Sequence, residues 1–113
     1  MPYEEYEACI VLCSECEAMC EHCASVCLRE ENLRDLASCI RLGLACAQAC
    51  RSTAAIMSQA SEFASDFCAL CARICQACGD ECARHREQQY CRECAVICYV
   101  CAETCFEIAG ARV

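Results

Sequence analysis

Cysteine recurs along this chain with the step of a helix core. Between residues 13 and 27 it stands at Cys13, Cys16, Cys20, Cys23 and Cys27, in steps of 3, 4, 3 and 4. The pattern extends through four segments. The first holds those five and Cys9; the second holds Cys39, Cys46 and Cys50. The third holds Cys68, Cys71, Cys75, Cys78 and Cys82, and the fourth holds Cys91, Cys94, Cys98, Cys101 and Cys105. Alternating steps of 3 and 4 put one narrow stripe on an α-helix, because successive members fall on the same face.

The residues between the cysteines favour helix. Ala, Glu, Arg, Gln and Leu predominate, and no proline follows Pro2. Breaks are expected near residues 30–35, 58–63 and 84–90, with Asn32 or Asp35 and Ser61 as candidate caps. Four helices with short connections give antiparallel neighbours. The predicted fold is an all-α antiparallel four-helix bundle with a cysteine-lined core, one domain over residues 1–113. Leu12, Met19 and Val26 on the first helix lie off the stripe, as do Val96, Ile97 and Val100 on the fourth. A second apolar face predicts a homo-oligomer.

Nineteen cysteines among 113 residues need a reason beyond packing, since Ala or Val would pack without oxidising. Disulfides between neighbours on one helix would close very small loops and remove little unfolded-state entropy. An odd cysteine count also leaves a thiol over. The acidic start, Met-Pro-Tyr-Glu-Glu-Tyr-Glu, reads as neither a signal peptide nor a membrane segment. The expected compartment is the reducing cytoplasm. The net charge of −8, with nine arginines and no lysine, argues against a nucleic-acid partner.

Enzyme chemistry is not expected. A redox Cys-x-x-Cys sits at a helix N-terminus after a strand. The six such pairs here lie inside helices. Metal binding remains. Soft thiolates select Cu(I), Zn(II) or iron–sulfur clusters. The iron–sulfur spacing C-x2-C-x2-C-x3-C is absent. An unbroken ladder of thiols offers no partition into the closed fours that zinc requires. One Cu(I) per thiolate leaves a neutral core, whereas a buried Zn(Cys)4 keeps two negative charges. The stripe therefore points to many Cu(I) ions per chain, on the order of one per thiol by charge compensation. A thiolate buffer taking zinc or cadmium, and a purely structural helical protein, are the alternatives.

The ladder as a whole, with Cys-Glu-His-Cys at 20–23, Cys-Ala-Leu-Cys at 68–71 and Cys-Gln-Ala-Cys-Gly-Asp-Glu-Cys at 75–82, resembles the bacterial copper storage proteins. The resemblance spans nearly the whole chain. It implies a four-helix bundle whose thiol core holds many Cu(I) ions, assembled as a tetramer, and without a twin-arginine start it looks like the cytosolic branch. Helix two departs from the pattern: Leu42 and Gly43 stand where a thiol would continue the stripe, implying less metal on that wall.

The two ends of the tube differ. Up-down connectivity puts Cys27, Cys39, Cys82 and Cys91 at one end, with Glu30, Glu31, Asp35, His85 and Glu87 forming a polar mouth. Cys9, Cys50, Cys68 and Cys105 are expected at the other, beside an apolar plug of Tyr6, Met57, Ala64 and Ile108, with Phe63 and Phe67 nearby. His85, three residues past Cys82, is expected to stay on the stripe and take incoming copper. His22 falls roughly 140° from the stripe by helical geometry and is expected to face outward. Met57 reads as core filler and Met19 as flank packing.

Overall fold

The computed structural model describes residues 2–110. Helix α1 spans Pro2–Cys27, α2 Ala37–Ser58, α3 Ala64–Ala83 and α4 Gln89–Gly110, with a single 3-10 turn over Leu33–Leu36. The described residues contain no strand. The four helices form the expected antiparallel bundle, 48 Å long and under 20 Å wide.

The predicted breaks hold, but their chemistry differs from expectation. Neither Asn32 nor Asp35 caps α2 with its side chain; the 3-10 turn leads straight into it, and Leu36 occupies the N-cap. Burial of Leu36 takes the place of a cap hydrogen bond there. Ser61 does serve as a turn acceptor, its Oγ receiving the Phe63 N–H at 3.1 Å. Helix α2 ends through paired bonds, Ala60 N–H to Met57 C=O and Ser61 N–H to Ile56 C=O. Ala60 adopts the left-handed conformation (φ 51°) that glycine usually supplies in this motif.

All nineteen cysteines are buried. The largest enclosed side chains that are not cysteine are Tyr6, Leu36, Met57 and Thr53. A core built this way is narrow, and small residues let helices approach beside it. Each of Ala24, Ala47, Ala72, Gly79, Ala95 and Ala102 directly follows a cysteine and is buried. The backbones come closest across α1/α2 and α3/α4. On the first of these, a β-carbon at Gly43 would lie 3.3 Å from the Cys20 carbonyl oxygen and 3.7 Å from Ala24 Cβ. On the second, the Tyr99 ring covers Gly79 at 2.9 Å from such a β-carbon. The Tyr99 hydroxyl donates to Asp80 at 2.6 Å, a bond that together with desolvation holds the phenol at a pKa of about 12.

Gly43 thus fills the phase of a missing thiol because two backbones meet there. Replacing it with valine is expected to push α1 off α2 and destabilise the reduced, metal-free bundle by about 1–3 kcal/mol. Denaturant unfolding measures this, and an unchanged midpoint would mean the interface has slack.

The off-stripe residues divide. Leu12, Met19, Val26 and Ile97 are half-buried flanks, Met19 and Ile97 packing on the core. Val96 and Val100 are exposed. Of the outer face expected on α1, Met19 is thus used within the bundle, while Leu12 and Val26 stay half-exposed. Val11, Leu28, Leu44, Leu70 and Phe106 are exposed apolar side chains as well.

Candidate metal centre

The thiols form two seams, one running the length of the bundle along α1/α4 and a shorter one along α2/α3. Along α1/α4, Cys9 faces Cys105 at 3.6 Å between sulfurs, Cys13 faces Cys101 at 3.8 Å, and Cys16 faces Cys98 at 3.8 Å. Cys20 lies 3.8 Å from Cys94 and 3.7 Å from Cys98, and Cys91 lies 3.8 Å from Cys23 and 4.0 Å from Cys27. Along α2/α3 the contacts are Cys39–Cys82 at 3.5 Å, Cys46–Cys75 at 3.6 Å, Cys50–Cys75 at 3.7 Å and Cys71–Cys50 at 3.9 Å. Cys16–Cys46, at 3.9 Å, joins one seam to the other. Sulfur thus bridges the helix pairs whose backbones stand further apart.

These spacings suit a shared metal. A tetrahedral ion with metal–sulfur bonds of about 2.3 Å needs sulfurs about 3.8 Å apart, and a trigonal one about 4 Å. Quartets of sulfurs within 4.8 Å of one another include Cys16, Cys46, Cys50 and Cys75; Cys16, Cys20, Cys46 and Cys98; and Cys20, Cys78, Cys94 and Cys98. These three overlap, with Cys16, Cys46, Cys20 and Cys98 each serving twice. Filling the middle one together with either neighbour therefore requires bridging thiolates, whereas the outer two share no cysteine. Further quartets are Cys13, Cys71, Cys101 and Cys105, and at the mouth Cys23, Cys27, Cys39 and Cys91.

Burial works to raise the thiol pKa values, because the low-dielectric core disfavours thiolate, while hydrogen bonds between thiols divide them into raised and lowered groups. Cys27 is pushed up by burial and by the neighbouring Cys39 charge. At Cys68 the bond from Cys105 pulls down while Cys9 and burial push up, and the thiol settles at about 12. Hydrogen bonds with Cys23 and Cys82 hold Cys39 well below the usual thiol range. The network therefore releases a first few protons readily and keeps the rest.

Two expectations about the ends change. Cys50 does not reach the closed end; it sits midway along the tube against Cys71 and Cys75. Thr53 and Met57, both buried, take its place on α2, and the Thr53 hydroxyl donates to the Phe67 carbonyl at 3.4 Å. Tyr6 and Ala64 complete a buried plug with Ile108 packed against it, whereas Phe63 is exposed. His85 lies beyond the end of α3, not on a further helical turn. Its N–H still reaches the Cys82 carbonyl at 3.1 Å, and its Nε2 lies 2.8 Å from Glu81 Oε2. That places a half-buried imidazole at the mouth, tied through its backbone to Cys82 and through its ring to Glu81. His22 is exposed, as its helical angle required.

Sequence reasoning missed three residues at the mouth. Leu36 continues the α2 stripe and is fully buried. The Tyr90 hydroxyl donates to Glu30 at 2.8 Å, joining the start of α4 to the turn after α1. The Gln88 side-chain oxygen is buried without a hydrogen-bond partner. The three-residue step from Cys39 back to Leu36 was visible; the other two depend on how the loops fold.

Residues 3–110 match the copper storage protein family. The chain belongs to that family. Its function is the storage of copper. It is 46% identical over 83 residues to the uncharacterized cysteine-rich protein YhjQ of Bacillus subtilis, covering 73% of this chain and 77% of that one. It is 43% identical to the Cu(I)-bound copper storage protein BsCsp3 of Bacillus subtilis, over 93% of this chain and 98% of that one, with a TM-score of 0.89. A cytosolic copper storage protein from Streptomyces lividans, solved during copper loading with five coppers, is 38% identical. That match covers 96% of this chain and 95% of the other, with a TM-score of 0.92. No described helix is long and apolar enough to cross a membrane.

Proposed function

We propose that this chain stores Cu(I) as polynuclear thiolate clusters along the tube, with all nineteen cysteines from Cys9 to Cys105 as ligands. The observation that carries this is the burial of all nineteen thiols in one core, where quartets of sulfurs follow one another and a further quartet, Cys16, Cys20, Cys46 and Cys98, joins two of them. Four of the quartets share no member and could each take a Zn(II), but every Zn(Cys)4 would leave two negative charges in a dry core. Cu(I) accepts bridging thiolates, and one ion per thiol leaves the core neutral. Each ion bound also displaces a thiol proton, so uptake releases protons. The S. lividans relative loaded with 10 copper equivalents supports a multi-ion store.

Copper passes at the His85 end. The other end is closed by Tyr6, Thr53 and Met57, whereas at this one His85, bonded through its backbone N–H to the Cys82 carbonyl, offers a nitrogen donor. The protein acts as a container without catalysis, in the cytoplasm like its S. lividans relative. It assembles as a homotetramer through its exposed apolar side chains.

Titration of the fully reduced, metal-free protein with Cu(I) against a chromophoric Cu(I) chelator tests the stoichiometry. Retention is expected up to about one ion per thiol, as charge compensation requires. Saturation after one or two ions would overturn the storage mechanism proposed. The quartet spacing also suits zinc, so excess Zn(II) belongs in the same cell. Displacement of bound copper by zinc would favour a general thiolate buffer.

A further inference from the structure

Four columns of side chains end at the mouth, and they differ in what they can do with Cu(I). On the α2 column Leu36 is a buried hydrocarbon. Just past α3, His85 donates its backbone N–H to the Cys82 carbonyl at 3.1 Å and offers an imidazole nitrogen at the end where Cys39 and Cys82 pair at 3.5 Å. The α1 and α4 columns are tied to each other. After α1 ends at Cys27, the chain turns through bonds from Arg29 N–H to Val26 C=O and Glu30 N–H to Cys27 C=O. That turn holds the Glu30 carboxylate where Tyr90, one residue before Cys91, donates to it at 2.8 Å. Both side chains are half-buried.

We propose that the Tyr90–Glu30 hydrogen bond is a latch that shuts the α1/α4 half of the mouth and confines copper exchange to the α2/α3 half. The inference rests on the reading that copper passes at this end. Phenol and carboxylate are hard oxygen donors, and Cu(I) prefers sulfur and imidazole. An ion arriving over Cys27 and Cys91 therefore meets no group able to relay it. An ion arriving over Cys39 and Cys82 meets His85. A hydrogen bond to a carboxylate away from bulk water is among the stronger kinds, which suits a closure that must hold.

The test is the rate at which a chromophoric Cu(I) chelator removes copper from the loaded, reduced, full-length protein. Tyr90→Phe deletes the hydroxyl and keeps the ring. It is expected to speed removal on the order of tenfold, the scale of one charge-assisted hydrogen bond, with copper capacity unchanged. Glu30→Ala breaks the same bond from the other side and is expected to match it. His85→Ala is expected to slow exchange in the native background and much less with Tyr90→Phe, where a second route is open. A merely structural role for Tyr90 would not change the dependence on His85. Native rates in both Tyr90→Phe and Glu30→Ala would overturn the latch, as would an equal His85→Ala slowdown in both backgrounds. If Tyr90→Phe is fast but His85→Ala has no effect in either background, the latch stands and the His85 route falls.

Discussion

Raising the pH of the reduced, metal-free protein through the alkaline range is expected to unfold it cooperatively. The sign follows from proton counts. A buried thiol such as Cys27 or Cys68 holds its proton in the folded bundle to higher pH than in the unfolded chain. Below the ordinary thiol pKa of about 8.5 both states are protonated at these positions, and the favourable contribution is complete. Above it the unfolded chain binds fewer protons, so stability falls with pH. The loss continues toward the folded-state value of about 12 reached by Cys68. Each thiol that ionises only on unfolding removes about 1.4 kcal/mol per pH unit, so four or five consume a typical domain stability of about 5–15 kcal/mol within roughly two units. Helical circular dichroism followed from neutral to alkaline pH, under reducing conditions, measures it. The Cu(I)-loaded protein has exchanged those protons for metal and is expected to stay folded over the same range. Equal alkali resistance with and without copper would contradict this account of the core.

Copper loading itself is expected to produce the largest rise in thermal stability. A ligand that binds the folded state at a hundred times its dissociation constant adds about 2.7 kcal/mol, and a tube of thiols takes many. Thiols in the unfolded chain also bind Cu(I), which lowers the gain per ion, but they lack the preset spacing. Even four or five ions retaining half that value would add roughly 5–7 kcal/mol, a melting shift of some tens of degrees for a domain of this size. The distribution of the gain is as informative as its size. The thiols face one another across α1/α4 and α2/α3. Hydrogen-exchange protection is therefore expected to increase most where sulfur bridges those seams. It is expected to increase least across α1/α2 and α3/α4, where the backbones already meet. A small shift with uniform protection would mean that copper sits elsewhere.

Much of this was legible because cysteine is both conspicuous and periodic. The step of 3 and 4 gave the helices, their number and the axial placement of the thiols without any other residue. The misplacement of Cys50 was avoidable: Cys39 to Cys50 covers only about 17 Å of helix, against about 27 Å for Cys9 to Cys27. The second helix leaves its thiols early and reaches the closed end as Thr53 and Met57. The small residue after six of the cysteines was also in plain view and marks close packing beside the stripe. The Tyr90–Glu30 bond was not legible. It joins residues 60 apart, and it depends on a turn that periodicity does not describe. His85 was placed near the mouth for a helical reason that fails, since α3 stops at Ala83. The loop nevertheless returns its imidazole to the same region.

The sameness of the interior leaves the bundle with a problem of alignment. Most cores fix how far one helix slides along another by giving each knob its own hole. Here knob after knob is the same small thiol, and a helix displaced by seven residues would still set sulfur against sulfur. Uniform interiors of this sort specify their partners poorly. The unequal residues must carry that information. Tyr6, Met57 and Thr53 bar sliding at one end and Leu36 at the other, while Gly43 and Gly79 admit a neighbour at one level only. The cysteines are the graduations of a ruler, and these six residues are its numerals.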